Sequence, residues 1–379
     1  MKKIFKNLNK SLLVLTFVFC LFGLLMIQSA SSMESYMRYG NSPYFYFSRQ
    51  LIFVILGLIG SFVIMTFPTK VYKKVASFLM YVFLFALGGL FIYGYAANNA
   101  VSWFDFGFFK LQPSEVLKIV IILYMAVFYE KNINKLEEKA ILLQPFYFII
   151  PSFLLIAAQP DLGTASIIMG LSLLIFYAIP MPKKYKTMFN KLIIGGVLLI
   201  LLIVFAFGKN ILKSYQLERF NFLDPCYRYQ EKSGYQLCNS FIAFNNGGVY
   251  GQGIGESTQK YLYLPESYTD FIFPIIVEEW GLIVGIIIIV LYLVMLILIY
   301  KIARNARNLR NSMIAYGVFC YLLLHIVVNL GGVMGLIPLT GVPLPFLSYG
   351  GSYCLSLMAA IGLVQRVHIE NKLSKVKKR

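Results

Sequence analysis

Residues 281–300 read GLIVGIIIIVLYLVMLILIY, a stretch with no charged side chain. As a helix it would span about 30 Å, the thickness of the hydrocarbon core of a bilayer. Of the 379 residues in the chain, 59% are apolar and 13% are charged, whereas soluble domains are about half apolar and about a quarter charged. The apolar residues lie in blocks of similar length, so residues 1–379 are predicted to form a single transmembrane domain.

Similar apolar blocks along the rest of the chain predict an all-α polytopic membrane protein with about ten transmembrane helices. The fourth span is short and carries Lys118. The first span follows a Lys-rich start, as a signal peptide does, but its length and the lack of a small-residue cleavage site favour a retained helix. The predicted spans are 11–29, 51–67, 75–95, 115–129, 141–158, 164–180, 191–207, 271–300, 311–335 and 347–366.

Basic residues predict the orientation of these helices. With the N-terminus inside, 24 of the 34 Lys and Arg residues lie in inner segments and 9 in outer ones. Because basic residues favour the cytoplasmic side, both termini are predicted to be cytoplasmic. A large extracytoplasmic loop, residues 208–270, then joins helices 7 and 8. The net charge of +18 does not indicate nucleic-acid binding, because the basic residues are spread over short loops.

Two short polar motifs lie on the predicted outer side, Gln-Pro-Ser-Glu at 112–115 and Gln-Pro-Asp-Leu-Gly-Thr at 159–164. Helix capping would explain the first, with Glu115 reaching back to a free N–H group. It does not explain Lys118, since an ionisable residue inside a span suggests a functional site. The second motif reads as a tight turn in which Thr164 caps the next helix, and it could also form a wall of a site.

The 208–270 loop is rich in aromatic residues, which suits a folded cap or a membrane interface. Its glycines between 247 and 255 could let the backbone approach a phosphate, although this pattern alone is weak. The loop ends at Thr269 and Asp270. Either residue could cap the following helix, or Asp270 could be a general base, because a helix N-terminus favours the ionised carboxylate.

Residues 341–352 are too rich in Pro and Gly for a regular helix. Irregular backbone at membrane depth is tolerated only when it is buried in protein or lines a cavity. This segment is therefore predicted to pack inside the outer mouth of the bundle. Because these unusual motifs all lie outside and the inner loops are plain, chemistry at the extracytoplasmic face is expected.

In this order, the four motifs resemble those of the FtsW/RodA/SpoVE (SEDS) family, and the resemblance covers essentially the whole chain. Residues 253–266 favour the FtsW branch. The motifs that carry the resemblance are Gln-Pro-Ser-Glu at 112–115, Gln-Pro-Asp-Leu-Gly-Thr at 159–164, Leu-Pro-Glu and Thr-Asp-Phe within 264–271, and Pro-Leu-Pro-Phe-Leu-Ser-Tyr-Gly-Gly-Ser at 343–352.

The resemblance implies a peptidoglycan glycosyltransferase that polymerises lipid II at the outer face of the bacterial cytoplasmic membrane. It implies work with a class B penicillin-binding protein and other complex proteins in cell division or cell-shape maintenance. Asp270 would be the catalytic residue, and Lys118, Arg219 or a divalent metal cation could stabilise the leaving pyrophosphate. No other cofactor is indicated. Residues expected to bind substrate are Glu115, Lys118, Asp161, Arg219, Glu266 and Ser348.

The chain departs from the family pattern at Ser102, Tyr268 and His325, where Arg, His and Gln would be expected. Ser102 removes a cation from the donor site. The alternative function is a flippase that transports lipid II across the membrane. Such a transporter should present polar groups along a path between both faces, whereas the motifs here lie on one face.

Cys226 and Cys238 lie in the predicted outer loop, where disulfides are permitted. Twelve positions separate them, with Ser233 and Gly234 between them as a plausible turn. A disulfide between the two is therefore predicted, while two free thiols remain the alternative.

Overall fold

The computed structural model is a bundle of helices. It describes residues 4, 6–40, 42–97, 100–107, 109–211, 224–228 and 232–376. The helices are α1 Lys10–Tyr39, α2 Phe45–Thr66, α3 Tyr72–Tyr93, α4 Pro113–Lys131, α5 Lys139–Leu143, α6 Phe146–Ala158, α7 Leu162–Tyr177, α8 Lys183–Ile211, α9 Lys232–Gly247, α10 Ile272–Arg304, α11 Leu309–Val333 and α12 Gly351–Val376. Short 3-10 helices lie at Thr69–Val71, Ile133–Lys135 and Pro225–Arg228.

Each predicted span overlaps a helix, so the mostly helical membrane architecture is confirmed. Within the described residues, seven helical stretches are long and apolar enough to cross a membrane. The number of crossings and their orientation stay predictions. The qualifying stretches are Lys10–Met37, Phe45–Thr66, Thr69–Tyr93, Lys139–Ala158, Ile272–Arg304, Leu309–Val333 and Gly351–Ser374.

Helix α4 occupies the centre of the bundle, where it packs against α3, α7, α11 and α12. Most of its side chains are buried, including those of Glu115 and Lys118. This position explains why the helix tolerates charge. Its polar groups meet neighbouring helices rather than lipid, so the cost of placing them in hydrocarbon is avoided.

A small antiparallel sheet joins α3 to α4, and the sequence prediction missed it. Strands β1 (Tyr95–Ala97), β2 (Ala100–Asp105) and β3 (Lys110–Leu111) pair in that order. In its register Tyr95 lies opposite Trp103, and Asp105 lies opposite Lys110. Such short strands satisfy the backbone of a connection that must return to the bundle.

The predicted 208–270 loop is not a structureless connection. Helix α8 continues to Ile211, and α9 lies within the segment and packs against α10, which follows it. Cys226 and Cys238 are joined by a disulfide that links the Pro225–Arg228 turn to α9.

At the end of α4 that lies away from the sheet, charged side chains pair with one another. Lys73 Nζ and Arg310 Nη1 each lie 2.8 Å from Glu130 Oε2. These contacts join α3, α4 and α11, so the polar groups found there act as links between helices.

Candidate active site

One cavity of about 360 Å³ brings the four sequence motifs together. It opens where α4, α7 and α12 begin and where the chain enters α10. Its lining residues are Arg49, Phe53, Trp103, Phe109, Lys110, Gln112, Glu115, Pro160, Asp161, Thr164, Glu266, Thr269, Asp270, Thr340, Gly341, Pro343, Tyr349, Gly350, Gly351, Ser352 and Tyr353.

The irregular backbone predicted at 341–352 forms part of this wall at residues 341–350, and α12 begins at Gly351. The backbone of this irregular segment is satisfied by polar side chains from the surrounding helices. Asn329 Nδ2 donates to Val342 O at 2.8 Å, Tyr292 Oη donates to Pro345 O at 2.5 Å, and Gln50 Oε1 accepts from Gly350 N at 3.1 Å. Non-helical backbone can therefore persist between helices.

Asp270 lies on a half-buried turn immediately before α10. The expectation that Thr269 or Asp270 caps this helix is wrong, because the N-cap residue is Phe271 and no side chain caps it. Asn329 Nδ2 donates to the backbone oxygen of Asp270 at 2.8 Å. A Cβ atom added at Gly341, whose φ is +69°, would lie 3.1 Å from Asp270 Oδ2. The turn and the irregular segment thus fix the carboxylate against a glycine.

Three buried polar side chains form a hydrogen-bonded chain that runs from Glu115 in the cavity lining to α11. Lys118 Nζ donates to Glu115 Oε1 at 2.8 Å and lies 3.1 Å from His325 Nε2. His325 Nδ1 lies 3.1 Å from Pro343 O. An ammonium group can only donate, so Nε2 of the imidazole accepts from Lys118 and Nδ1–H donates to Pro343. His325 therefore links the buried cation to the irregular segment.

Glu115 does not reach back to the helix N-terminus, so the predicted capping role is wrong. Its Oε1 atom holds Lys118, while its buried Oε2 atom has no hydrogen-bond partner among the described residues. Buried carboxylate oxygens are normally satisfied. Glu115 also lines the cavity, so its carboxylate combines an unsatisfied oxygen with a position beside the cavity.

Asp161 caps α7, and the prediction that Thr164 would do so is wrong. Asp161 Oδ1 accepts from the Thr164 backbone N–H at 3.0 Å, and Oδ2 accepts from Gln112 Nε2 at 3.3 Å. Gly163 lies inside the helix, where a Cβ atom would come within 2.3 Å of Thr340 O. The second motif therefore shapes the cavity wall as well as starting a helix.

The other predicted binding residues are placed differently. Glu266 lines the cavity and accepts from Thr269 Oγ1 at 2.8 Å. Ser348 is buried outside the lining, and its Oγ accepts from Leu344 N at 2.8 Å. Lys118 lies behind Glu115 and is not part of the lining. Arg219 lies outside the described residues.

Two cations at the rim were not predicted from the sequence. Arg49 and Lys110 both line the cavity and are exposed. Arg49 is also close to Tyr349, where burial raises the pKa of the phenol and the guanidinium opposes the rise. Burial likewise raises the pKa of Tyr268, so this residue is a neutral hydroxyl. Nothing in the local sequence around Arg49 marks it, since it enters the site only through the packing of α2.

The glycines between 247 and 255 do not line the cavity. The phosphate-binding interpretation therefore finds no support in this part of the structure. Four of them lie outside the helices with positive φ, at Gly248, Gly251, Gly253 and Gly255.

The carboxylates of the cavity do not form a cage for a metal ion. No group of three or more His, Cys, Asp or Glu residues in the described chain is arranged to hold one. Both oxygens of Asp161 already accept hydrogen bonds from the protein. The cavity residues thus do not fit a resident divalent cation held by protein ligands alone.

The similarity of this chain to known proteins extends over nearly its whole length. The family model described as cell cycle protein, FtsW/RodA/SpoVE, matches residues 10–373. A probable peptidoglycan glycosyltransferase FtsW of Bacillus subtilis is 37% identical, with 100% of this chain and 95% of the relative covered. Stage V sporulation protein E of the same organism is 32% identical, with 94% and 95% covered.

Solved structures show the same fold. A chain from a peptidoglycan synthase complex that coordinates polymerization and crosslinking superposes with a TM-score of 0.76 at 25% identity, covering 96% of this chain and 98% of that one. The rod shape determining protein RodA of Thermus thermophilus gives a TM-score of 0.67 at 22% identity, with 95% and 96% covered. The family match and the identities over whole chains lead to one conclusion: this chain belongs to the FtsW/RodA/SpoVE family.

Proposed function

We propose that this protein is a peptidoglycan glycosyltransferase that polymerises lipid II into glycan strands, in cell division or cell-shape maintenance. The observation that carries the proposal is the cavity around Asp270, where a carboxylate that caps no helix lies among polar residues from all four family motifs. The names of the relatives, several of them probable peptidoglycan glycosyltransferases, support the same reaction.

In this reaction a hydroxyl of the acceptor sugar attacks the anomeric carbon of the donor. A new carbon–oxygen bond forms there, and the bond to the pyrophosphate oxygen breaks. The hydroxyl proton must leave during the attack, and a carboxylate within hydrogen-bond reach can take it. Asp270 is the candidate base, because it is a half-buried carboxylate of the cavity wall that caps no helix and whose Oδ2 atom lies against Gly341.

The departing pyrophosphate needs positive charge. Arg49 and Lys110 lie at the rim of the cavity and could meet its oxygens. Lys118 is farther inside, and its ion pair with Glu115 orients that carboxylate toward the cavity. In this assignment Arg49 and Lys110 supply the positive charge that the family pattern places at the position of Ser102.

A membrane location suits a substrate with a polyprenyl tail, because the tail can stay among lipids while the sugar enters the cavity. The protein is proposed to lie in the bacterial cytoplasmic membrane with this cavity on the extracytoplasmic side. A class B penicillin-binding protein is the proposed partner, since the similar synthase complex couples polymerization to crosslinking.

Polymerisation of purified lipid II tests the function directly. Purified protein, with and without a class B penicillin-binding protein, should convert lipid II into glycan chains that are resolved on a gel. The absence of product under both conditions, with a folded protein, would reject the polymerase assignment.

Accessibility of single cysteines tests the orientation. The three native free cysteines are buried, so added ones can be read separately. Lys184→Cys and Arg307→Cys should resist an impermeant thiol reagent in intact cells, whereas Glu256→Cys, on the exposed loop near Lys260, should react. Labelling at residue 307 from outside would place the cavity on the cytoplasmic side.

A further inference from the structure

Helix α10 is broken at Gly281, where φ is 84° and ψ is 168°. Backbone groups released by the break pair with a loop segment, residues 248–254, which we call the interfacial segment. The four hydrogen bonds are Leu282 N to Gly248 O at 3.0 Å, Ile283 N to Val249 O at 3.4 Å, Gln252 N to Glu278 O at 2.9 Å and Gly253 N to Glu279 O at 3.1 Å.

Two glycines make this close pairing possible. A Cβ atom at Gly251 would lie 2.3 Å from Glu279 O, and one at Gly281 would lie 2.3 Å from Val249 O. Either contact would force the backbones apart. The glycine series that resembled a phosphate loop therefore holds the interfacial segment at a fixed level on α10.

That level is the edge of the lipid-facing surface of α10. Residues 272–279 are all buried, whereas exposed apolar side chains recur from Leu282 to Tyr300. The stretch between these two residues is about 28 Å long at 1.5 Å per residue, close to the roughly 30 Å of a hydrocarbon core. Lys301 and Arg304 follow at its far end. The break at Gly281 thus coincides with one boundary of the hydrocarbon.

Helix α1 gives the same boundary independently. Its Ser29 Oγ donates to Glu279 Oε1 at 2.5 Å, which places Ser29 beside the break. Exposed apolar side chains on α1 continue from Leu13 up to Leu25, none occurs at residues 26–35 around this contact, and residues 36 and 37 are exposed again near the end of the helix. On both helices the continuous run of exposed apolar side chains therefore ends close to the level of the interfacial segment.

We propose that the interfacial segment is a membrane anchor whose side chains contact lipid at the boundary between headgroups and acyl chains. Val249, Tyr250 and Ile254 are 52%, 84% and 69% exposed. Tyr is favoured at this depth because its ring is apolar and its hydroxyl is polar, and apolar neighbours bury there without crossing the bilayer. The patch is continuous with the lipid-facing stripe of α10, which makes lipid its occupant.

The anchor also connects to the candidate base. After the interfacial segment, Lys260 Nζ bonds Glu279 Oε1 at 3.0 Å, and Gln259 O accepts from Leu264 N at 2.9 Å. The chain then turns into Asp270. If the proposed polymerase function holds, the anchor fixes the height of Asp270 above the bilayer for a substrate whose head lies at a set distance from its tail. The lipid contact itself does not depend on that function.

Depth-dependent quenching in nanodiscs tests the anchor without substrate. Single cysteines replacing Val249, Tyr250 and Ile254 are labelled with an environment-sensitive fluorophore, with unmodified protein as the labelling blank. Lipids carrying a nitroxide near the headgroup or deep in the acyl chain, and aqueous iodide, serve as quenchers. Glu256→Cys on the same loop is the water-facing control, and Leu293→Cys in the middle of the α10 stripe is the deep control.

The three anchor positions should be quenched several-fold more by the shallow nitroxide than Glu256→Cys is, and several-fold less by iodide. Leu293→Cys should respond most to the deep nitroxide. Iodide quenching equal to that at residue 256 would overturn the anchor, and so would protection from all three quenchers, which would indicate a protein cover. Because no turnover is measured, a failed polymerase assay would leave this result unaffected.

Discussion

Two groups of carboxylates serve different parts of the molecule: Glu278 and Glu279 in α10 hold the preceding loop, and four others line the cavity. Glu278 is fully buried and accepts from Asn246 Nδ2, Thr258 Oγ1, Ser257 Oγ and the Gln259 backbone N–H. A carboxylate with this many donors has little capacity left for a ligand. It clamps the loop to the helix.

Glu115 at the cavity accepts fewer hydrogen bonds than Glu278 does. Glu115 Oε2 has no partner among the described residues, and Asp270 is half-buried on the cavity wall. A site that binds and releases a sugar must leave acceptors open until the substrate arrives. The comparison teaches that burial alone does not separate a carboxylate of the candidate site from a structural one, because Glu115 and Glu278 are both buried but accept different numbers of hydrogen bonds.

Asp270→Asn probes the cavity side of the comparison and should have the largest effect. The variant keeps the shape of the side chain but cannot accept the hydroxyl proton, so polymerisation should fall by about 10²–10⁴. Because no side chain caps α10, stability should not change, which thermal unfolding in detergent checks. Activity within a few-fold of the unmodified protein would remove Asp270 from the reaction.

Lys118→Met should cause the next largest loss of activity and should also destabilise the fold. Removing one member of a buried ion pair costs about 3–5 kcal/mol, because the other charge is left uncompensated. The double variant Glu115→Gln with Lys118→Met should recover most of the stability and little of the activity. If the double variant also recovered polymerisation, the pair would be structural only, like the clamp at Glu278.

Glu278→Gln tests the clamp and should have a smaller effect on activity. An amide offers one oxygen where four donors converge, so some donors lose their acceptor at about 1–3 kcal/mol each. A lower unfolding midpoint with partial polymerisation is expected. The matched control Glu256→Gln, on the exposed surface of the same loop, should leave both readouts unchanged. A loss as complete as that of Asp270→Asn would contradict the division between the two groups.

Loss of the Cys226–Cys238 disulfide should have the smallest effect on polymerisation. Cys226→Ser and Cys238→Ser should each lower stability by a similar amount, up to about 3 kcal/mol in the chain-entropy model. The double variant should lose no more than either single one, because both remove the same bond. Mass spectrometry of unreduced protein checks the bond itself, and two thiols free to alkylate would refute it.

The predictions that were confirmed depend on the composition of a single segment of the chain. Long apolar blocks predicted the helices, and Pro and Gly content predicted the irregular segment 341–352. Predictions of individual caps failed at Glu115, Thr164 and Asp270, because in each case the actual partner lies elsewhere or no side chain serves. The sheet at 95–111 was missed because its strands are too short to show an alternating pattern.

The sequence by itself determined that the chain is a helical membrane protein, since apolar length is a property of one segment and the bilayer sets its scale. Its motifs also determined the family. Only the tertiary structure decided which polar groups meet: Lys118 and His325 are 207 positions apart, and Gln112 and Ser352 are 240 apart. Such contacts depend on how helices pack, and the hydrophobic pattern of each helix carries no information about a partner so distant in the chain.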